Sequence, residues 1–257
     1  MKVEILEKKD NQLTLLIEDL PPSYVNTLRR CIMAEVPTLA IENVVFYENT
    51  SSLYDEIIAH RLGLIPIKTD LSLLNFRDEC TCKGKGCANC TLRLHLDKEG
   101  PCIVYSHDLI SDHEEMKPLP NIPIVKLGRN QMLSFEAEAI LGKGKEHAKW
   151  QPAVVSYKYY PEIKISKECT SCGACIEACP RDILKLEDGK VEIQNLEECI
   201  LCKSCSEACE LNAIEVRGNN KKFIFRIESI GSLPPEEIFS KACEIVINKA
   251  EELKNLI

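Results

Sequence analysis

The chain has 257 residues, of which 45% are hydrophobic, and a formal net charge of −8. This length allows one large domain or two to three smaller ones with a buried core. The acidic balance argues against a direct grip on nucleic acid, because phosphate contacts need a concentrated surface of Lys and Arg. The first residues show no basic segment followed by an apolar run, and no stretch of about 18 apolar residues occurs, so we expect a cytoplasmic protein that does not span a membrane.

The amino-terminal residues predict a hairpin and a helix. Residues 4–20 alternate around the Asp10-Asn11 pair, a pattern typical of two strands joined by a tight turn. Residues 21–37 open with prolines and a serine and close at a proline. Apolar residues recur there about once per turn, at Val25, Leu28, Ile32 and Val36, so this segment predicts a short amphipathic helix.

Residues 41–150 mix short strands, one helical patch at 54–64 and many turns with Pro or Gly, which predicts an α+β layer. Two β-like runs follow, at 154–166 and 221–230. The tail predicts a helix from about Pro234 to Ile257, with two glutamates in its first turn. Its broad apolar stripe fits either packing on its own domain or contact with another chain. The stripe comprises Ile238, Phe239, Ala242, Ile245, Val246, Ala250, Leu253 and Ile257.

Eight of the fifteen cysteines form a repeat with a period of 30 residues, placed between the two β-like runs. The spacing and the proline after the first run match the bacterial ferredoxin pattern, in which the fourth cysteine of each run serves the other cluster. The first predicted ligand set is Cys169, Cys172, Cys175 and Cys209, and the second is Cys199, Cys202, Cys205 and Cys179. Zinc sites or disulfides are the alternative. Glu210 stands where the second run would have proline, so we expect the first set to hold a [4Fe-4S] cluster or, as alternatives, a [3Fe-4S] or a labile cluster.

Four further cysteines, Cys80, Cys82, Cys87 and Cys90, lie within eleven residues among Lys, Gly and Asn. Such a loop can enclose one tetrahedral zinc ion with no open coordination position, which disfavours a catalytic metal. A disulfide pair and an empty thiol loop are the alternatives. Cys31, Cys102 and Cys243 stand alone.

No pattern of a catalytic site is present. The histidines at 60, 95, 107, 113 and 147 have no spacing typical of a nucleophile or hydrolytic metal site, and no phosphate-binding glycine motif occurs. The acidic residues are plentiful and unpatterned, as on a solvated surface. Clusters without a flavin, nicotinamide or substrate motif favour a protein that is not itself an enzyme.

Three segments outside the cysteine repeat, at 25–67, 141–157 and 225–253, resemble the D polypeptide of archaeal DNA-directed RNA polymerase, a relative of the bacterial alpha subunit's amino-terminal domain and of the eukaryotic third-largest subunit. The resemblance implies an α+β fold with three parts: a dimerisation domain at 1–40, 151–165 and 221–257, an inserted domain at 41–150, and a ferredoxin-like domain at 166–220. Eukaryotic relatives carry a C-x-C-x3-C-x2-C zinc site, whereas the middle spacer here is one residue longer.

The resemblance also implies the partners. Members of this family pair with subunit L through the early and terminal helices, and the heterodimer is the platform for small subunits N and P and for the large catalytic subunits. The implied interface residues on this chain are Val25, Asn26, Leu28, Arg29, Arg30, Ile32, Ile238, Phe239, Ala242, Ile245, Val246 and Leu253. Two further family blocks, read either as partner contacts or as fold maintenance, comprise His60, Arg61, Gly63, Gly144, Lys145, His147 and Trp150.

The sequence therefore favours a non-catalytic assembly subunit of a DNA-directed RNA polymerase, with an interface expected to bury over about 2,000 Å². Its iron-sulfur domain would stabilise the fold or sense oxidation. A ferredoxin-type electron carrier or oxidoreductase subunit is the rival hypothesis, and a zinc-dependent interaction adaptor is a third.

Overall fold

The computed structural model describes residues 1–256. Within them the strands are β1 (Lys2–Lys9), β2 (Gln12–Glu18), β3 (Pro37–Asn49), β4 (Leu92–Glu99), β5 (Cys102–Tyr105), β6 (Ile110–Ser111), β7 (Pro123–Leu127), β8 (Met132–Lys143), β9 (Ala153–Ile165), β10 (Leu184–Glu187), β11 (Lys190–Ile193) and β12 (Ile214–Ser229). The α-helices are α1 (Pro22–Glu35), α2 (Asp55–Gly63), α3 (Ala174–Glu177), α4 (Ser204–Glu207) and α5 (Pro235–Leu256). The predicted α+β fold class is confirmed, with the hairpin, the early helix and the terminal helix at the predicted positions. Ile257, the last residue of the predicted stripe, lies outside the described residues.

The chain divides into two compact units. Unit 1 comprises Met1–Lys8, Thr14–Asn26 and Ser156–Arg226. Unit 2 comprises Lys9–Leu13, Thr27–Val155 and the described residues from Ile227 onward. The predicted division into three domains is a finer one that this two-part division does not test.

In unit 1, four strands form a sheet in the order β1-β2-β12-β9. The cysteine repeat leaves this sheet at the end of β9 and returns at the start of β12, so it lies between two strands, as predicted. The structure adds that these two strands are neighbours in the sheet. A two-stranded hairpin, β10-β11, stands within the repeat and turns at Asp188-Gly189, both with positive φ. Asp-Gly favours this turn because both of its residues tolerate the left-handed region.

In unit 2, a four-stranded sheet has the order β3-β8-β4-β6, and β5 pairs with β7 in a smaller sheet. Leu94 and Leu96 of β4 and Phe135 of β8 point inward and are at most 2% exposed. Ile58 and Leu62 of α2 bury their side chains in the same core. This alternation of buried and exposed positions is typical of a sheet with one face covered.

Candidate metal centres

The 30-residue repeat of the sequence is also a repeat of the backbone. The helices α3 and α4 start and end 30 residues apart. Three pairs of left-handed residues have the same spacing: Ser171 with Leu201, Gly173 with Lys203, and Asp182 with Asn212. Leu201 and Lys203 are unusual in this conformation, which costs side chains with a Cβ about 1–2 kcal/mol. The second cysteine loop has this conformation at both residues, and it therefore follows the same backbone path as the first loop, where Ser171 and Gly173 hold the equivalent positions.

Two cavities lie in this part of unit 1, and each is lined by four cysteines from both halves of the repeat. The first cavity is lined by Cys169, Cys172, Cys175 and Cys209. The second is lined by Cys179, Cys199, Cys202 and Cys205. In both cavities three cysteines come from one run and the fourth from the other, which is the crossed arrangement of two-cluster ferredoxins.

The thiols of each set influence one another electrostatically. The pKa of the Cys175 thiol is raised by burial and then by the nearby thiols of Cys169, Cys172 and Cys209. Burial likewise raises the pKa of Cys205, and its neighbours there are Cys179, Cys199 and Cys202. If all four cysteines of a set are deprotonated, their negative charges repel, and a cationic centre between them would stabilise the set.

The donor set therefore fits iron-sulfur clusters. All four ligands of each set are soft sulfur donors. The other residues that line each cavity are mainly apolar. Additional donors point at the sulfurs: the backbone N–H of Ala213 donates to Cys209 Sγ at 3.2 Å, and Ser204 Oγ lies 3.4 Å from Cys202 Sγ. Such hydrogen bonds stabilise negative charge on thiolate ligands.

The four cysteines of the 80–90 loop, here called the Cys loop, converge on one point. Their sulfur atoms all lie within 4.8 Å of one another. Cys80 Sγ is 3.6 Å from Cys87 Sγ, Cys82 Sγ is 3.6 Å from Cys90 Sγ, and Cys87 Sγ is 4.0 Å from Cys90 Sγ. A tetrahedral zinc with Zn–S bonds of about 2.3 Å separates its sulfurs by about 3.8 Å, whereas a disulfide needs about 2.05 Å. The spacing thus suits a single tetrahedral ion.

The backbone of the Cys loop also favours thiolates. Hydrogen bonds from the backbone N–H groups of Cys87 and Gly86 lower the pKa of Cys82 to about 6, with smaller contributions from hydrogen bonds to the thiols of Cys90 and Cys80. Because metals bind the deprotonated form of cysteine, this lowered pKa prepares the loop for a cation near neutral pH.

Arg77 holds the Cys loop onto the sheet of unit 2. Its Nε donates to the carbonyl of Gly84 at 3.2 Å, and its Nη2 lies 3.5 Å from Glu138 Oε2 on β8. Gly86 lies beside the guanidinium of Arg77, and its φ of +83° is a conformation that favours glycine. No spacing rule in the sequence pointed to Arg77, because it acts through contacts outside any motif.

The predicted interface residues differ widely in exposure. Val25, Ile32, Ile238 and Ala242 are fully buried within the chain, and Arg30 is exposed. Asn26, Leu28, Arg29, Phe239, Ile245 and Val246 are half-buried. Leu253 is 60% exposed. The four buried residues cannot contact a partner directly and can only pack under the surface that does. Leu253 can contact a partner.

The exposed end of α5 contains two large apolar residues that were not among the predicted interface residues. Ile247 is 56% exposed and Leu256 is 85% exposed. Leu256 follows Ile238 by 18 residues, which is about five turns, so both lie on the same helix face. The apolar stripe that is buried near the start of α5 therefore continues onto a part of the helix whose residues, from Ile247 to Leu256, are all exposed.

The residues of the two family blocks divide between exposed positions and packing positions. His60 and Arg61 are exposed on α2, and Gly63 ends that helix. Trp150 is buried, whereas Lys145 and His147 are exposed. A Cβ at Gly144 would come within 2.0 Å of the carbonyl oxygen of Met33, and the N–H of Lys145 donates to the carbonyl of Ala34 at 2.9 Å. The second block thus holds the end of β8 against the end of α1 within unit 2.

Comparison with known proteins finds two families and several close relatives. Residues 40–156 match the RNA polymerase Rpb3/RpoA insert domain, and residues 162–210 match the 4Fe-4S dicluster domain. A protein named DNA-directed RNA polymerase subunit Rpo3 from Archaeoglobus fulgidus is 46% identical over 100% of this chain and 97% of its own length. Rpo3 proteins from Methanothermobacter thermautotrophicus and Pyrococcus furiosus are 47% and 41% identical; each alignment covers 98% of this chain, with 97% and 95% of the relatives.

Proposed function

The chain belongs to the Rpo3 family of archaeal DNA-directed RNA polymerase subunits, and from this premise we propose that its task is to assemble the enzyme. The resemblance predicted from sequence is confirmed by these relatives. The chain is a non-catalytic subunit of a nucleotidyltransferase complex. Among the described residues no helix has both the length and the apolar character needed to cross a membrane. Because the polymerase acts on DNA, the proposed location of the chain is the cytoplasm.

The exposed end of α5 carries this proposal. From Ile247 to Leu256 every residue is exposed, although the same face is buried at Ile238 and Ala242. Removing apolar surface from water stabilises a complex by about 25 cal/mol for each Å² buried. A partner helix that covered Leu253 and Leu256, which share the face of Ile238, would recover that free energy.

The proposed partner on this face is subunit L, and the heterodimer would then bind the small subunits N and P and the large catalytic subunits. The other predicted contacts, Leu28, Arg29 and Arg30 on α1, would extend the same interface. The acidic chain is proposed to meet nucleic acid only through its partners, because its net charge of −8 opposes phosphate binding.

Co-expression with subunit L tests the assembly role. The chain should purify as a stable one-to-one complex, and Leu253→Asp should reduce the affinity at least about tenfold because it places a charge in an apolar contact. Asn255→Asp, on the opposite side of the helix, is the matched control and should leave the complex intact. Equal binding by both variants, or a chain that stays monomeric, would contradict the proposal.

The cofactors are proposed to be two [4Fe-4S] clusters, one in each four-cysteine cavity, with a [3Fe-4S] cluster as the alternative at the Cys209 site. When bound, such clusters can exchange single electrons and cross-link the chain. The cysteines would hold them, and the surrounding apolar residues would exclude water from the sulfurs. We propose that the clusters stabilise the domain and that oxidative loss would loosen it and reduce assembly.

Purification from native cells under anaerobic conditions, with iron, sulfide and zinc counted per chain, tests the cofactor assignment. Eight iron atoms indicate two cubanes and seven indicate one three-iron centre. Heterodimer yields from chains reconstituted with and without clusters test the regulatory role, and equal yields would dispose of it.

A zinc ion is proposed for the Cys loop, on the strength of the 3.6–4.0 Å sulfur separations. Its role would be structural, because four thiolates leave no open position. The metal count should then give one zinc per chain, and Cys90→Ser should remove it.

A second function, electron transfer, is favoured by one observation. Cys172 and Cys202, at equivalent positions of the repeat, are both exposed, so each proposed cluster would have a ligand at the surface. Rapid redox exchange by a monomer would support a ferredoxin-type carrier or an oxidoreductase subunit. A stable complex with subunit L would support assembly.

A further inference from the structure

The two cysteine cavities are equivalent in sequence position but opposite in charge. The second cavity is lined by Pro180, Arg181 and Lys203. Thirty residues away in each case, the first cavity is lined by Glu210, Leu211 and Gly173. Two cations in one cavity thus correspond to a leucine and a glycine in the other, and a proline corresponds to a carboxylate.

Further contacts strengthen the positive side of the second cavity. Lys158 on β9 is half-buried, and its Nζ donates to the backbone carbonyl of Glu197 and, at 3.0 Å, to that of Cys199. The Nε of Arg181 donates to the carbonyl of Glu198 at 3.3 Å. Three consecutive carbonyls next to a cysteine ligand are therefore bound by two cations.

The anions near this site are Glu197, Glu198 and Glu207. Glu207 acts on the Cys202 thiol, and its equivalent in the other half of the repeat is also a glutamate, Glu177, so it does not distinguish the two cavities. The carboxylate of Glu198 pairs with Arg181 at 2.6 Å, which spreads part of the arginine's charge. Lys203 is exposed and remains a lining cation of the second cavity. Lys167 and Glu197 are equivalent in the repeat and of opposite charge, but neither lines a cysteine cavity.

We propose that these charges make the second cavity, with Cys179, Cys199, Cys202 and Cys205, the site that accepts the first electron, and that Lys158 and Arg181 are its positioning residues. The inference rests on the proposed function, namely that both cavities hold clusters. One-electron reduction adds one negative charge, with no bond made or broken and with the electron supplied by an external one-electron donor. Nearby cations stabilise that charge and nearby anions oppose it, so the reduction potentials of the two sites separate.

The test is a redox titration of the full chain, purified anaerobically with its clusters, with dithionite as reductant and electron paramagnetic resonance as readout. Cys202→Ser and Cys172→Ser assign each signal to its cavity. Arg181→Leu and Lys203→Gly, which install the residues of the other repeat, should lower the higher potential and leave the lower one in place. Glu210→Gln should raise only the lower potential. The difference between the two potentials should be smallest in the variant that combines Arg181→Leu, Lys203→Gly and Glu210→Gln.

Two controls separate charge from structure. Lys190→Gln removes an exposed lysine of β11 that lines neither cavity, and it should shift neither potential. Lys158→Met should lower the higher potential, and Lys158→Arg should restore it. If any of these variants fails to fold, Glu210→Gln and Leu211→Arg test the same effect of charge at the first cavity. Both should raise the lower potential.

The inference is overturned if the signal lost in Cys202→Ser is the one of lower potential, or if no charge variant moves either potential. Absence of iron and sulfide from the native chain would instead overturn the proposed cofactors. The two failures are therefore distinguishable.

Discussion

The indole ring of Trp150 lies directly against Gly142 of β8, where a Cβ would come within 2.3 Å of the ring. The ring is held there by a hydrogen bond from its Nε1 to the carbonyl of Ile140 at 3.2 Å, and Thr38 Oγ1 donates to the carbonyl of Trp150 at 2.9 Å. Gly142→Ala should therefore lower the free energy of unfolding by about 1–3 kcal/mol, the usual cost of overpacking. Urea unfolding measures this change.

Gly63→Ala is the matched control for that substitution. The nearest atom to a Cβ at Gly63 is the carbonyl oxygen of Ile41 at 3.5 Å, an ordinary contact. Because alanine also favours a helix, this variant should keep the stability or raise it by up to about 1 kcal/mol. Equal stability of the two variants would show that the Trp150 ring moves aside without cost.

The contact of Arg77 with the Cys loop predicts that the wild-type protein loses zinc more slowly than a variant without this side chain. Arg77→Met removes the hydrogen bond to the carbonyl of Gly84 and the contact with Glu138, so zinc should transfer to a chromophoric chelator several-fold faster. Lys85→Met removes a positive charge from an exposed side chain of the same loop and should leave the transfer rate unchanged. If both variants lose zinc at the same rate, the effect is one of net charge and not of the arginine's contacts.

The ion pair between Glu35 of α1 and Lys249 of α5, at 2.9 Å, predicts a pH-dependent stability. A hydrogen bond from Lys249 lowers the pKa of Glu35. A carboxyl group with a lowered pKa in the folded state stabilises the protein above its unfolded pKa, about 4.3, and this stabilisation is lost as the pH falls through the folded pKa. Lys249→Met should therefore cost about 0.2–1 kcal/mol at pH 7 and nothing in strong acid.

Chemical unfolding of the wild type and Lys249→Met between about pH 7 and pH 3 measures this difference. Lys241→Met is the control, since its partner is Glu244 on the same helix and it does not link α5 to α1. A difference from the wild type that stays constant over the whole pH range would contradict an ionic origin.

Loss of the clusters should unfold residues 169–209 locally. A segment of this size has a core worth no more than about 3–5 kcal/mol, whereas metal binding to thiolates contributes roughly 10 kcal/mol or more in the case of structural zinc. Hydrogen exchange after anaerobic chelation should show that the amides of β10, β11, α3 and α4 lose protection. The amides of β3 and β8 should keep theirs, and protection that persists throughout would mean that the apolar contacts of the domain suffice.

The cysteine repeat shows what the sequence can predict by itself. Ligand spacing is a local property, so the period of 30 residues was enough to predict two crossed ligand sets, and the structure brings the same eight cysteines around two cavities. The charge difference between the cavities was also present in the repeat, at Arg181 and Leu211, but only the structure shows that both residues line the cavities. Spacing gives the order of residues, not the direction of their side chains.

The terminal helix illustrates the other limit. Its apolar stripe was visible in the sequence, yet periodicity cannot say how far along a helix the stripe is covered, because that depends on where the facing element ends. In the structure the covered part of the stripe ends at about Val246, since Ala242 is buried and Leu253 is exposed. In the same way, the roles of Arg77 and Lys158 depend on contacts with residues many positions away. Residue spacing determined the ligands, and the folded path of the chain determined which charges and apolar surfaces surround them.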